Sequence, residues 1–543
     1  MTIARWKPPV APTRQEQFLL KRLGRVRKLL GFLRWHRHEL FDEAFQDELA
    51  SMYRSTGAGK DALPPAMMAM AMLVQGYLGI SDAEMVELTV VDLRVQMVLG
   101  CLGAEDPAFS QGALQEFRER LIAADMDRRV LERTVELAKR TKAFDHRKLP
   151  KTLRVAIDSS PLEGAGRVED TYNLLAHAAR NVVRCAARLL GWSDEKVCTE
   201  AGIPLLGGSS VKAALDIDWN DAVEKAEAIQ TFSRQLDALQ AWLERRLGEE
   251  LATPPLQAHL KTLEQIRTQD LEPDPAGSGM RIRQGVAEDR RVAIEDAEMR
   301  HGRKSKSKRF NGFKRHIAAD VDRGLILACA ITPANRPEDE AMPALTTDLK
   351  RQALTVDQLV IDRGYINSTL VDDVLSRRGK IVCKPWKSHN GQLFPKSAFT
   401  LNLRDHTIEC PNGQMQRFAL GTIVEFDPDI CDRCALRSQC TTAELGHGRT
   451  VAIAENEPLQ QRLRKQMHTS AGRAALRERT MIEHKLAHIS QRQSNHARYL
   501  GVRKNTFDLR RASAIQKLGD TPPFRDRIAK GCVMTAHSNR LAL

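Results

Sequence analysis

The sequence predicts an α/β protein in which a mixed sheet follows an α-helical N-terminal domain and is interrupted by insertions. Apolar residues recur at three and four positions through residues 13–145, as they do on one face of a helix. At Leu153 the pattern changes to a short apolar run that ends in acid, LRVAIDSS, which is typical of a buried strand. Helical periodicity returns over residues 166–272 and then gives way to strands again.

Strands and helices alternate after this helical interruption. The stretches FNGFKRHIAADVD and GLILACAITPAN indicate a hairpin, and they are followed by helix EDEAMPALTTDLKRQ, strand DQLVID, helix STLVDDVLSRRG and strand KIVCKPW. With the helical block removed, the order is β-β-β-α-β-α-β, the order of a ribonuclease H-like fold. We therefore predict a ribonuclease H-like mixed sheet as the core.

These patterns divide the chain into five segments. They are a helical N-terminal domain (1–145), the first part of the core (150–387, interrupted by a helical block at 166–290), a Cys-rich insertion (388–455), a helical and basic C-terminal part of the core (456–518) and an irregular tail (519–543).

The chain is basic. It holds 83 Lys and Arg against 69 Asp and Glu, a net charge of +14. Eight Lys or Arg and no acid lie between Arg300 and Arg315, and residues 441–543 hold 19 basic against 8 acidic residues. This charge suits a polyanionic partner, with nucleic acid first and an anionic membrane surface or simple solubility as alternatives.

No membrane span or export signal is expected. The longest apolar run near the N-terminus, Ala66 to Val74, falls short of the roughly 18 residues that a spanning helix needs. The opening residues lack the apolar stretch of a signal peptide, and ten cysteines in 543 residues do not indicate a secreted disulfide scaffold. We expect a protein of the reduced cytoplasm.

Three acidic residues are candidates for a catalytic site. Asp158 and Asp362 each end a predicted strand, in VAID and LVID, and Glu483 lies on a C-terminal helix. Neighbouring strands would bring both aspartates to one edge of the sheet, where metal-assisted phosphodiester chemistry needs carboxylates to hold two ions about 4 Å apart. Each acid has an ordinary alternative, because Asp at a strand end is often a turn former and Glu483 would pair with Arg479 one turn earlier.

The chain resembles the DDE transposases of bacterial insertion sequences. The stretches that carry the resemblance are AIDSSPLEGAG, KRFNGFKRHIAADVDRGLI with ITPANRPEDEA, LVIDRGYIN, and RERTMIEHKLAHISQRQSNHARYLGVRKN. The helical segment LPPAMMAMAMLVQGYLGISDAEMVELTVVDLRVQMVLGCLG with QEFRERL is similar to the domain that precedes catalysis in these enzymes. The resemblance leaves out the helical block at 166–272 and the tail.

By position, the resemblance makes Asp158, Asp362 and Glu483 the acidic triad and implies Mg²⁺, or Mn²⁺, as the cofactor. Related transposases place a Tyr three residues before the Arg and a Lys seven residues after the Glu. This chain keeps Arg479 but has Leu476 and Ser490 there. Lys485 and Arg492 are candidate substitutes for the lysine, and Glu478 is the alternative third acid. The apolar stripe of the predicted helix favours Glu483.

Several cations near these motifs are expected to contact DNA phosphates. Loop residues 303–308 precede a strand at the site, and ARYLGVRKN follows the catalytic helix. For the loop the alternative is a solvated segment, and for the tyrosine it is a place in the core. The predicted DNA-binding residues are Lys314, Arg479, Lys485, Arg498, Tyr499, Arg503 and Lys504.

Four cysteines in the insertion are candidate zinc ligands. Cys410, Cys431, Cys434 and Cys440 include one CxxC pair, and four thiolates suffice for tetrahedral zinc. The spacing between them is looser than in compact zinc motifs, so reduced, packed cysteines are an equal alternative. Similar cysteine clusters occur in this region of related transposases.

The resemblance implies hydrolysis at a transposon end, followed by attack of the freed 3′ hydroxyl on target DNA. It also implies double-stranded DNA as the partner, at the terminal inverted repeats and at the target, a homodimer in the synaptic complex, and a location on the nucleoid. Two alternatives remain at this stage. One is a catalytically inactive DNA-binding regulator derived from a transposase, and the other is a nuclease of the same fold.

Overall fold

A computed structural model of the chain describes residues 3–23, 28–53, 62–141, 148–275, 277 and 279–519. The segment expected to be an irregular tail, 519–543, lies outside the described residues except for its first position. None of the described helices is both long and apolar enough to cross a membrane.

The region before residue 142 is helical, as the sequence predicts. Its buried centre is the helix Pro65–Leu78, in which every residue from Pro65 to Gln75 is buried. This helix begins at a proline, whose missing N–H is not needed in the first turn, and it ends at Gly79 with φ at 73°, the left-handed conformation that terminates many helices. The described helices are α1 (Arg14–Arg22), α2 (Lys28–Leu40), α3 (Glu43–Ala50), α4 (Pro65–Leu78), α5 (Asp82–Val91), α6 (Leu93–Leu99), α7 (Gln111–Ala123) and α8 (Met126–Arg140).

The predicted mixed sheet is confirmed. The first strand is central: it pairs antiparallel with the long strand Arg309–Asp320 and parallel with the strand that precedes Asp362. The strands are β1 (Thr152–Glu163), β4 (Arg300–Arg303), β5 (Arg309–Asp320), β6 (Ile326–Pro333), β7 (Thr355–Val360) and β8 (Lys380–Val382), with helices α14 (Met342–Arg351) and α15 (Thr369–Ser376) between the last three. Their order in the sheet is β4-β5-β1-β7-β8, and β6 also pairs with β5.

The helical block between β1 and β4 has an apolar core of its own. It consists of α9 (Thr171–Leu190), α10 (Asp194–Glu200), α11 (Val211–Leu215), α12 (Ala222–Leu247) and α13 (Leu256–Asp270). The block was expected to extend to residue 290, but helix ends at Asp270 and a short hairpin follows, β2 (Leu271–Pro273) with β3 (Met280–Ile282). Proline at 273 and 275 explains the change, because it disfavours helix at the residue before it.

The Cys-rich segment folds as small sheets, which its weak periodicity did not indicate. A three-stranded sheet is formed by β9 (Thr400–Asn402), β10 (Thr407–Glu409) and β11 (Met415–Arg417), and a pair by β12 (Ile423–Glu425) and β13 (Thr450–Ala452). Two short helices follow β12, α16 (Pro428–Asp432) and α17 (Arg437–Cys440). Strands of three residues are too short for alternation to be recognised.

The C-terminal helices pack on both the sheet and the N-terminal helices. They are α18 (Glu457–His468), α19 (Ser470–Arg477), α20 (Thr480–Gln493) and α21 (Val502–Gly519). One apolar cluster runs from the N-terminal helices through α21 and α20 to one face of the sheet. Arg510 on α21 donates hydrogen bonds to Asp125 (2.6 Å) and Asp127 (3.0 Å), which flank the start of α8. The N-terminal helices are therefore fixed to the C-terminal helices and, through them, to the mixed sheet.

Gly312 on β5 lies close to the backbone at the end of β1. We expect Gly312→Ala to destabilise the core. A Cβ there would overlap the backbone of Leu162 and Gly164, and φ is +148°. The cost should be about 3 kcal/mol in the free energy of unfolding, measured by thermal unfolding. Gly112→Ala is the control, because its site on α7 is open and alanine favours helix. Equal stability of the two variants would contradict this role of Gly312.

Candidate active site

The register of two parallel strands brings Asp158 and Asp362 to the same level of the sheet. Ala156 on β1 is the partner of Val360 on β7. Asp158 lies two residues further along β1, and Asp362 lies two residues beyond the end of β7. Side chains alternate between the two faces of a sheet, so Asp158 shares the face of Ala156, which belongs to the apolar cluster that includes α20.

Asp158 is the buried member of the pair. Its side chain is 11% exposed, and its Oδ1 accepts a hydrogen bond from the Ser159 N–H at 2.8 Å. Burial raises the pKa of Asp158, although the Arg479 guanidinium acts in the opposite direction. Burial therefore disfavours the charged form of this carboxylate, and the nearby guanidinium offsets part of that effect.

Asp362 lies at the mouth of the site, with a side chain that is 48% exposed. It caps the 3₁₀ turn Arg363–Tyr365, and its Oδ1 accepts from the Arg363 N–H at 2.8 Å. This turn explains the sequence Asp-Arg-Gly-Tyr. A Cβ on Gly364 would overlap the Glu338 side chain, and Tyr365 is fully buried beneath the site.

Glu483 approaches the aspartates from the first turn of α20. Ile482, Leu486 and Ile489 form the buried stripe of this helix, and Glu483 borders the stripe with a side chain that is 57% exposed. The alternative acid, Glu478, is directed elsewhere: its carboxylate accepts a hydrogen bond from Arg154, which also bonds Asp322 at 2.9 Å.

The guanidinium of Arg479 lies among the three carboxylates. Its Nη2 is 3.2 Å from Asp158 Oδ2 and 3.6 Å from Glu483 Oε1, and its Nη1 is 3.1 Å from Asp362 Oδ1. Burial would lower the pKa of Arg479, but the three carboxylates outweigh it and raise that pKa. The geometry thus brings the predicted acids together around one positive charge.

A buried polar network lies behind Asp158. His316, the β5 partner of Ser159, has its Nδ1 2.8 Å from the Tyr365 hydroxyl and its Nε2 2.9 Å from Thr332 Oγ1. Burial lowers the pKa of His316 to about 3, so the imidazole is neutral. The sequence analysis missed His316, although it lies in the same quoted motif as Lys314.

Arg315 fastens the end of α20 to β1. It is fully buried, and it donates to Ser160 Oγ (2.9 Å), the Pro161 carbonyl (3.0 Å) and the Ser494 carbonyl (2.9 Å). The segment after α20 also pairs with the end of β1, since the Glu163 N–H donates to the Asn495 carbonyl at 2.8 Å. The sequence analysis counted Arg315 only as part of a basic run.

The other predicted DNA-binding residues differ in accessibility. Lys314 donates to the Arg336 carbonyl (2.7 Å) and is 3.3 Å from Glu338. Arg503 bonds Asp127 at 2.5 Å, and Tyr499 packs against Phe507. These three are engaged within the protein.

Several basic residues lie at the surface. Arg498, Lys504 and the loop residues 303–309 are exposed. Lys485 lies against Gly324 at the β5–β6 turn, while Arg492, a candidate substitute for the family's lysine, donates to Gln516 at 2.7 Å between α20 and α21. The exposed loop and the segment after α20 therefore offer the accessible positive charge.

The four cysteines of the insertion share one small cavity of about 30 Å³. The Gly413 N–H donates to the Cys410 carbonyl at 2.9 Å, and the Leu436 N–H donates to Cys434 Sγ at 3.4 Å. In the part of the chain that the structure describes, no group of three or more His, Cys, Asp or Glu side chains forms a metal-holding arrangement. The sulfurs share a cavity without forming such a group, and zinc binding stays a prediction.

The fold and the acidic site define a ribonuclease H-like protein with a carboxylate cluster where β7 ends beside β1. Residues 280–515 match the family model described as Transposase DDE domain, and residues 27–120 match Transposase domain (DUF772). The two segments together cover more than half of the chain, and both matches support an insertion-sequence DDE transposase. No curated protein and no solved structure gives a significant match. The DDE match begins after the helical block, so it includes Asp362 and Glu483 but not Asp158.

We expect purified protein to contain about one zinc ion per chain, held by the four cysteines of the cavity. Metal analysis after exhaustive dialysis measures the zinc, and Cys431→Ser should lose it. Cys101→Ser is the control. Cys101 is a half-buried thiol in the N-terminal region, far in the sequence from the four cysteines of the cavity. Zinc-free protein in which all four thiols react with a thiol reagent would favour reduced, packed cysteines.

Proposed function

We propose that this DNA transposase binds transposon ends, cleaves the DNA and transfers the strand to a target by two-metal catalysis at Asp158, Asp362 and Glu483. The observation that carries the proposal is the convergence of these carboxylates, from a central strand, a neighbouring strand end and a helix, on one cation. If Asp158 and Asp362 were only turn formers and Glu483 only a solvated helix residue, nothing would require their side chains to lie close together.

The donor set fits a pair of hard divalent cations. Carboxylate oxygens are the ligands that Mg²⁺ and Mn²⁺ take in proteins, and two of the three side chains open to the surface, where a phosphodiester can approach. Asp158, Asp362 and Glu483 would hold the ions. When bound, such ions activate the attacking hydroxyl and stabilise the leaving oxygen of an in-line displacement.

The surrounding residues keep this cluster in place. The neutral His316 and the buried Tyr365 fix the strands behind Asp158 without adding charge, and Arg315 holds α20 so that Glu483 faces the aspartates. Preorganised groups of this kind matter because misplacement by about 1 Å can cost roughly a hundredfold in rate.

We place double-stranded DNA across the mouth of the site. The exposed segment 303–309 joins β4 to β5, which pairs with β1, and Arg498 and Lys504 follow α20. Both basic surfaces are therefore on elements connected to those that carry the acids. They suit phosphate contacts that position DNA without reading its sequence. We further propose a homodimer that joins two transposon ends, acting in the cytoplasm on nucleoid DNA.

We expect Asp158→Asn, Asp362→Asn and Glu483→Gln each to reduce cleavage of a transposon-end duplex in Mg²⁺ by roughly 10⁴-fold or more, the scale for removing one member of a catalytic unit. The variants should still bind the same duplex, because binding depends on cations and phosphates. Gel assays of cleavage, strand transfer and binding measure these effects separately.

The matched control is Glu478→Gln. It removes the same charge five residues before Glu483, from a side chain bonded to Arg154, and it should still cleave. Cleavage by the Asp158 or Asp362 variant at the wild-type rate would contradict the triad. A wild-type protein that binds DNA without cutting would indicate the inactive regulator, and one that cuts without joining would indicate a nuclease.

A further inference from the structure

The guanidinium of Arg479 lies among the carboxylate oxygens that would have to hold a shared metal ion. Its two terminal nitrogens are 3.1–3.6 Å from oxygens of all three carboxylates. Mg²⁺ binds oxygen at about 2.0–2.1 Å, so an ion and the guanidinium cannot both sit among the same oxygens. The positive charges would also repel each other at this distance.

The side chain has little else to hold it there. In the described residues its Nε is buried without a hydrogen-bond partner, and its recorded partners are the three carboxylates. Arg479 lies at the break between α19, which ends at Arg477, and α20, which begins at Thr480. It is 22% exposed, so the guanidinium is accessible from the mouth of the site.

A DNA phosphate is the natural competitor for this guanidinium. Arginine binds phosphate and carboxylate with the same planar pair of N–H groups. A transposon end that reaches the site would bring phosphate oxygens to the mouth, beside the exposed Asp362 and Glu483. Transfer of Arg479 from the acids to a phosphate would leave the carboxylates free at the moment when metal ions are needed.

We propose that Arg479 is a resident cation that neutralises the acidic triad in the DNA-free protein and disfavours divalent metal binding until a DNA end draws it away. The proposal rests on the proposed function, because it takes the triad as the metal site. It makes DNA and metal bind cooperatively, with the same coupling in both directions. It also restricts metal-loaded protein, which is able to cut, to protein that has DNA in the site.

Mn²⁺ binding to the full-length protein tests this without reference to activity, for example by electron paramagnetic resonance of the free ion. Without DNA, Arg479→Gln should bind Mn²⁺ at least about tenfold more tightly than wild type, within the usual range of coupling between sites. Addition of an end duplex should tighten Mn²⁺ binding to the wild-type protein by a similar factor, and it should change Mn²⁺ binding to Arg479→Gln little. The Mn²⁺ that the duplex binds by itself is measured separately and subtracted.

Arg477→Gln is the matched control. It removes the same charge two residues away, from an exposed side chain at the end of α19, and should bind Mn²⁺ as wild type does. Because Arg479→Gln leaves three carboxylates without their cation, its folding is checked by circular dichroism. If it does not fold, Arg479→Lys, which keeps the charge but not the fork, should show weakened DNA coupling.

The outcomes separate this proposal from the function itself. Equal Mn²⁺ affinity of wild type and Arg479→Gln, with no effect of DNA on either, overturns the role of Arg479. If Asp158→Asn then abolishes Mn²⁺ binding, the metal site still stands. If Asp158→Asn leaves both Mn²⁺ binding and cleavage unchanged, the catalytic triad itself is wrong.

Discussion

The parallel pairing of β1 with β7 is the constraint on which the acidic site depends. Backbone hydrogen bonds fix the register at Ala156 and Val360, and a shift of one residue would turn every side chain of a strand to the opposite face. Asp158 would then leave the face on which α20 packs. The backbone of two strands, more than any contact between the acids, therefore determines that two aspartates far apart in the chain meet.

The insertions lie outside the pairing of β1 with β7. The helical block leaves the sheet after β1 and returns at β4, and the small sheets of the Cys-rich segment lie between β8 and α18. Each has its own apolar cluster, so each can fold without drawing residues from the central core. Additions of this size are tolerated when the strands that hold the site keep their pairing, because loop closure costs grow slowly with length.

Sequence reasoning gave the chain order of β1, β5, β6, β7 and β8 and the helices between them, because short apolar runs indicate buried strands. It did not predict β4 (Arg300–Arg303), which lies in the basic run. It could not recover what depends on tertiary partners. Arg315 looks like one more cation in a basic run, and only the fold shows that it is buried against β1 and the end of α20. Arg503 likewise looked available to DNA, yet its partner Asp127 lies on α8. The strands of the Cys-rich segment were too short to give a period.

The position of Arg479 follows from the electrostatics of the cluster. Three carboxylates gathered at one sheet edge repel one another, and burial of Asp158 adds to the cost of its charge, so the protein without metal needs a cation there. Here that cation comes from the residue one helical turn before Glu483. The placement of α20 by Arg315 and by the pairing of residues 495–497 with β1 therefore sets the third acid and its counter-charge together. A displacement of α20 would remove both at once, so the charge balance of the whole site depends on the position of this helix.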